Sequence, residues 1–250
     1  MNHNLVQYIY GIADNALILG QRLGELCGHG PNLETDIAMT NIALDLLGQT
    51  RSYYQYAAKL SGNEATEDTI AFLRSEREYK NVLLVEQPNT DFAYSIGRQF
   101  LFDVYHLLML EQLQNSSDEM LQAIAKKSIK EVSYHKRFSS DWIKRLGDGT
   151  EESHNKMQNA INDLWTFTDE LFHQTDADKA MVSENIGVDV SQLKEAYYAI
   201  VSDILTESTL QVPDLKYFQK GGKMGIHSEH MGYLLADLQY MQRTFPNMNW

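Results

Sequence analysis

Three pairs of residues in this sequence have the types and spacing for metal or acid–base chemistry. Glu131 and His135 lie four apart in I-K-E-V-S-Y-H-K-R-F, which on a helix places both on one face. Asp103 and His106 lie three apart in D-V-Y-H, as do His227 and His230 in H-S-E-H. A carboxylate followed three residues later by a histidine, supplied by each of two helices, with one carboxylate from each of two others, is how a helical bundle holds two bridged iron ions. Around His135 that pattern is one step off: counting back three reaches Val132, whose apolar side chain ligates nothing. Asp103 with His106 reads as a carboxylate and ligand pair in its own right. The competing reading is a buried Asp hydrogen-bonded to a Tyr or Arg, with the histidine satisfied on the helix flank; without a full set of ligands we prefer it. His227 and His230 make a weak metal pair. With Lys220 and Lys223 they read better as an ordered C-terminal loop, used in contact with another subunit or near that partner's site for an anionic ligand.

Helices must position these residues. Apolar residues at Ile9, Ile12, Ala13, Ala16, Leu17, Leu19 and Leu23 form a helical stripe over about His3 to Leu26, ended by G-H-G-P. Asn32 caps a second helix running to about Leu60, with Glu34 and Asp36 in its first turn. Its expected core stripe is Ile37, Thr40, Ala43, Leu44, Leu47 and Arg51, with Asp45 and Gln49 close beside it. Residues 66 to 86 read as one or two shorter helices. A third long helix spans about Thr90 to Leu113, and a fourth, capped by Ser117 or Asp118, carries Glu131 and His135 to the stop L-G-D-G-T. Further helices are expected at about 151–172, 191–210 and 231–243. Four long helices with short links make an all-α four-helix bundle with additional peripheral helices, and we expect one domain over residues 1–250.

Composition narrows the function. A net charge of -13 across 250 residues argues against a nucleic-acid binder, which needs a basic face. The single cysteine, Cys27, excludes an internal disulfide and a cysteine metal cage; it fits a reducing cytoplasm and is expected to be a small buried hydrophobe. The start M-N-H-N-L-V-Q-Y has no signal pattern and no apolar stretch is long enough for a bilayer, so the expectation is a soluble, unexported, cytoplasmic protein with no membrane partner.

Five runs carry a resemblance: D-N-A-L-I-L-G-Q-R-L-G-E-L-C-G-H-G-P, N-I-A-L-D-L-L-G-Q-T-R, L-L-V-E-Q-P-N, I-K-E-V-S-Y-H-K-R-F and G-G-K-M-G-I-H-S-E-H-M-G, between residues 14 and 232, with spacing that agrees to Trp250. They closely resemble the PaaC-type subunits of ring-1,2-phenylacetyl-CoA epoxidase. The resemblance implies a ferritin-like fold and a non-catalytic role beside a di-iron sister subunit, in a bacterial multicomponent monooxygenase of phenylacetate breakdown. It also implies that phenylacetyl-CoA is bound mainly by the partner, with NADPH, flavin and iron–sulfur electron supply in a separate reductase and no cofactor in this chain. The isolated chain is open to forming a homodimer.

The resemblance also locates the lost ligands. Where the sister has D-E-x-x-H, this chain has D-L-L-G-Q, so Leu46 stands for a glutamate and Gln49 for a histidine. Where the sister has K-E-E-x-x-H, this chain has K-E-V-S-Y-H, so Val132 replaces the bridging glutamate while Glu131 and His135 remain. Asp103 matches a third-helix carboxylate, and Gln21 falls at the first-helix glutamate. Two of six positions, Asp103 and His135, keep a ligating side chain, and this remnant implies no catalytic, cofactor or metal site. Asp103, His135, Gln21 and Gln49 are expected to converge as a polar network, with Arg51 or Tyr134 near it. Two alternatives stay open: a mononuclear iron or manganese oxidase using Asp103, His106, Glu131 and His135, and a free-standing scaffold that binds a small ligand. Tyr53, Tyr54 and Tyr56 cannot all face one way on a helix, so an outward-facing interface with another subunit is expected there.

Overall fold

The computed structural model describes residues 3–62, 65–246 and 248; Trp250 lies outside them. Among the described residues the regular structure is nine α-helices and short 3-10 turns, with no strand. The chain divides into two compact units, Met1–Gln87 with Gly221–Trp250, and Pro88–Lys220.

In the first unit, helix α1 (His3–Gly24) packs on α2 (Leu33–Ser61). Asn32 caps α2 as expected, its side chain accepting from Thr35 N at 2.9 Å. The turn between them closes on Asp36, whose carboxylate accepts the backbone N–H groups of Gly28 and Gly30, both at 2.9 Å. Gly28 has φ 85°, and a Cβ on Gly30 would stand 2.6 Å from the Cβ of Asp36, so the turn requires both glycines. Cys27 is exposed in this turn, not buried, because it lies beyond the end of the packed helix.

The face of α2 that enters the core is not the expected one. Met39, Ile42, Ala43, Leu46, Gln49, Tyr53 and Tyr54 are buried, whereas Ile37 is 50% and Leu44 60% exposed. The sequence carries two apolar stripes on α2, and periodicity cannot say which one meets α1. Tyr53 and Tyr54 are therefore interior residues and Tyr56 is half-buried, which overturns the expectation of an outward interface built on them.

Helix α3 (Glu67–Phe72) begins at a capping box formed by Thr66 and Thr69, and a 3-10 turn follows at Glu76–Glu78. Beyond it the V-L-L-V stretch is an irregular buried segment and not the expected helix. Tyr79, Val82, Leu84 and Val85 are fully buried, and side chains of α1 satisfy the irregular backbone: Asn15 Oδ1 accepts from Val82 N at 2.8 Å.

In the second unit, α4 (Phe92–Leu113), capped by Asp91, packs along α5 (Glu119–Gly147), capped by Asp118. Helix α6 (Glu151–Trp165) stops earlier than expected and passes into a 3-10 turn at Asp169–Phe172. A short α7 (Asp176–Ser183) was not legible in the sequence, and α8 (Lys194–Glu207) packs on α4 and α5. The last helix, α9 (Glu229–Thr244), returns to the first unit.

Candidate functional site

Helices α4 and α5 bring Asp103, His106, Val132 and His135 into the interior of the second unit, where all four are buried. Asp103 accepts from Gln99 Nε2 at 2.6 Å and from Ser139 Oγ at 2.8 Å. Its partners are thus an amide and a hydroxyl, not the expected Tyr or Arg. Gln99 sits one turn before Asp103, and Ser139 one turn after His135, so both residues share the inward faces already marked by the sequence. Burial pushes the Asp103 carboxyl well above its ordinary range, and the two neutral donors offset only part of that shift.

His106 packs its ring on Phe102 with centroids 5.1 Å apart. Burial, with a smaller contribution from the charge of nearby His135, lowers its pKa to about 3, so the ring is neutral over the physiological range. Gln99 Oε1 and His106 Nδ1 are buried and find no hydrogen-bond partner among the described residues. Glu131 is half-buried on the edge of this face. Among the described residues no group of three or more His, Cys, Asp or Glu is placed to hold a metal ion.

In the first unit Leu46 is fully buried on α2, Gln49 is buried one turn later, and Gln21 is half-buried on α1. A buried polar construction in this unit lies elsewhere, on residues that the ligand pattern did not single out. Asp14 of α1 is fully buried and receives Arg74 in a two-pronged pair, Nη2 to Oδ1 at 2.6 Å and Nη1 to Oδ2 at 3.0 Å. The Tyr54 hydroxyl donates to Oδ1 at 2.5 Å and Lys80 N to Oδ2 at 2.7 Å. The Arg74 guanidinium also lies over the ring of Tyr79, 4.1 Å from its centroid. Burial alone would lower the pKa of Arg74, but the charge and hydrogen bond of Asp14 together with the phenols of Tyr54 and Tyr79 outweigh it, and the group stays cationic.

A second pair holds the C-terminal part of this unit. His227 Nδ1 is 2.9 Å from Glu86 Oε2 and its Nε2 is 3.1 Å from the carbonyl of Tyr79. Both ring nitrogens face acceptors, so the imidazolium, which donates twice, is the form that satisfies both. Burial opposes that charge, but the hydrogen bond and charge of Glu86, with the Tyr79 carbonyl, outweigh it and raise the pKa. Ser228 N completes the carboxylate at 2.7 Å, and Arg22 donates to the Glu86 carbonyl at 2.8 Å. His227 is thereby committed to Glu86 and Tyr79, not paired with His230 around a metal. Lys223 is buried, so of the two lysines of this loop only Lys220 is presented to solvent.

The five runs lie between residues 14 and 232, and the likeness to known proteins extends over the whole chain. All of residues 1–250 match the family described as Phenylacetic acid catabolic protein. The chain belongs to that family. It is also 50% identical, over 248 residues, to the C subunit of the 1,2-phenylacetyl-CoA epoxidase of Escherichia coli (strain K12); the match covers 99% of this chain and 100% of that relative.

Within the phenylacetic acid catabolic protein family, the structure gives a physical role to four of the five runs. Asp14 and Asn15 in the first anchor the backbone of residues 80 and 82, and Glu86 in the third meets His227 in the last. His135 in the fourth lies inward beside Val132. Arg74 and Ser139 were missed because neither stands in a metal-ligand spacing, and only the fold brings them to a carboxylate.

Proposed function

We propose that this chain is the PaaC-type subunit of a bacterial 1,2-phenylacetyl-CoA epoxidase, a metal-free partner that supports a catalytic di-iron sister. The observation that carries the reading is the 50% identity, over essentially the full length of both chains, to the corresponding Escherichia coli protein. In this reading α1, α2, α4 and α5 form the four helices of a ferritin-like bundle within one domain, with α6 to α9 peripheral. Asp103 and His135 then stand at two of the sister's di-iron ligand positions in the second unit, and Gln21 and Gln49 at two in the first. The residues now present do not fit two iron ions. Leu46 and Val132 are fully buried alkyl groups at two of the carboxylate positions, and Asp103 is engaged by Gln99 and Ser139. The chain has no catalytic residue of its own: the sister holds the iron and most contacts to phenylacetyl-CoA, and a flavin and iron–sulfur reductase delivers electrons from NADPH.

The described helices include none long and apolar enough to cross a membrane, and the proposed location is the cytoplasm. The test is co-expression with the gene for the neighbouring di-iron subunit, followed by size analysis, metal analysis and assay with phenylacetyl-CoA. A stable complex that forms the ring epoxide, with iron accounted for by the sister alone, is expected. About two irons on this chain purified alone would overturn the metal-free reading, and failure to associate would overturn the subunit reading.

A further inference from the structure

We infer that the outer face of α9, with the glycine-rich loop before it, is a docking surface for the catalytic partner subunit. This rests on the reading of the chain as a PaaC-type component of an epoxidase and adds where the partner is received. The inner face of α9 is fully used. Met231, Leu234, Leu235 and Gln239 are buried, and Gln239 Nε2 donates to the Arg74 carbonyl at 2.9 Å. The outer face carries Tyr233 at 78% and Tyr240 at 60% exposure, seven residues apart and hence aligned on one side of the helix. Beside Tyr240, Gly232 and Ala236 line a groove of about 430 Å³ with Ser75, Glu76 and Arg243. A large exposed tyrosine beside a floor of small residues is the form of a site that accepts a partner's side chain, and Tyr233 extends the same helix face.

The loop leading into α9 adds Met224 and Ile226, 62% and 69% exposed. Its backbone is fixed from beneath. A Cβ on Gly222 would stand 2.2 Å from the Asn81 carbonyl oxygen, and one on Gly225, at φ 77°, 2.2 Å from that of Arg77. With the Glu86–His227 pair at its end, the loop holds outward apolar side chains on a rigid base, which lowers the ordering cost of association.

The occupant is a protein with lysine or arginine beside its apolar teeth. Glu229 and Asp237 flank the tyrosines and Glu76 borders the groove, all exposed, while Arg243 is tied back to the carbonyls of Leu73 and Arg74. An anionic membrane is repelled by these carboxylates and by the net charge of -13, whereas a basic protein face is drawn to them. The two tyrosines present roughly 300 Å² of ring surface. With Met224 and Ile226 the face supplies roughly half or more of the ~800 Å² that each partner gives to a standard interface.

The test measures the affinity of the purified full chain for its catalytic partner subunit. In the Tyr233→Ala, Tyr240→Ala double variant, Kd should rise at least ~100-fold, in keeping with two central hot-spot residues. Tyr233→Phe should bind as wild type. Leu44→Ala, on the exposed stripe of α2, should change Kd less than ~3-fold, and Asp237→Lys should weaken association mainly at low salt. All the altered side chains are exposed, so an unchanged helical signal confirms that each variant is folded. Wild-type affinity in the tyrosine double variant overturns the surface while leaving the subunit reading intact, as does loss of binding in Leu44→Ala alone. No binding by the wild-type chain overturns both.

Discussion

Asp14 and Asp103 are both fully buried aspartates on long helices, yet their surroundings differ in kind. Asp14 is met by a guanidinium, a phenol and a backbone N–H, and its charge is matched within the core. Asp103 has one amide and one hydroxyl, and burial drives it toward the neutral acid. The first is a construction in which a charge is matched; the second holds its carboxyl among neutral donors, with the neutral imidazole of His106 one turn along the helix. A buried polar residue is therefore poor evidence of an active centre until its partners are known.

Breaking the Asp14 centre should have the largest effect. Arg74→Met leaves the carboxylate buried without its cation and should cost about 3–5 kcal/mol in urea denaturation. An Arg74→Met variant as stable as wild type would show that Asp14 does not depend on that cation and would erase the contrast. Asp103→Ala should cost less, about 1–3 kcal/mol, since it removes two hydrogen bonds and no buried ion pair.

The His227–Glu86 pair comes next. His227→Gln should cost about 1–3 kcal/mol, the range for hydrogen bonds to charged groups. The folded pKa of His227 is raised above 6.5, so its contribution is fully present below pH 6.5 and is lost as pH rises through the folded value. The variant should remove that alkaline loss when stability is followed from pH 6 to 9.

The smallest effect sharpens the comparison most. Asp103→Asn keeps the shape and supplies a neutral group, and should change stability at low pH by less than ~1 kcal/mol. Because the folded pKa of Asp103 is raised above 3.8, its favourable contribution is complete below pH 3.8 and declines as pH rises through the folded value. Asp103→Asn should therefore gain on wild type as pH rises from 3.8. A parallel pH profile for the two proteins would place Asp103 among the ionised carboxylates and erase the contrast. His106 acts in the opposite sense: its contribution is present above pH 6.5 and is lost as pH falls toward about 3, a slope that His106→Leu should flatten.

Much of the fold was legible in the sequence because its signals are local. Helix periodicity, the caps at Asn32 and Asp118 and the glycine stops placed the long helices to within a few residues of where they lie. That Val132 shares a face with His135, and Asp103 with His106, followed from spacing, since residues three and four apart lie together on a helix; that these faces turn inward was what the resemblance implied. What spacing could not decide was which of two apolar stripes on α2 enters the core, or that V-L-L-V would be buried without regular structure. Both depend on partners distant in the chain: α1 selects the Leu46 face, and Asn15 pairs with the backbone of Val82, 67 residues away. The same limit hid Arg74 from Asp14, 60 residues apart, and Glu86 from His227, 141 apart. A side chain's chemistry is written in its type, but its charge state is set by what the folded chain brings against it, and only tertiary structure decided that Asp14 would meet a cation and Asp103 would not.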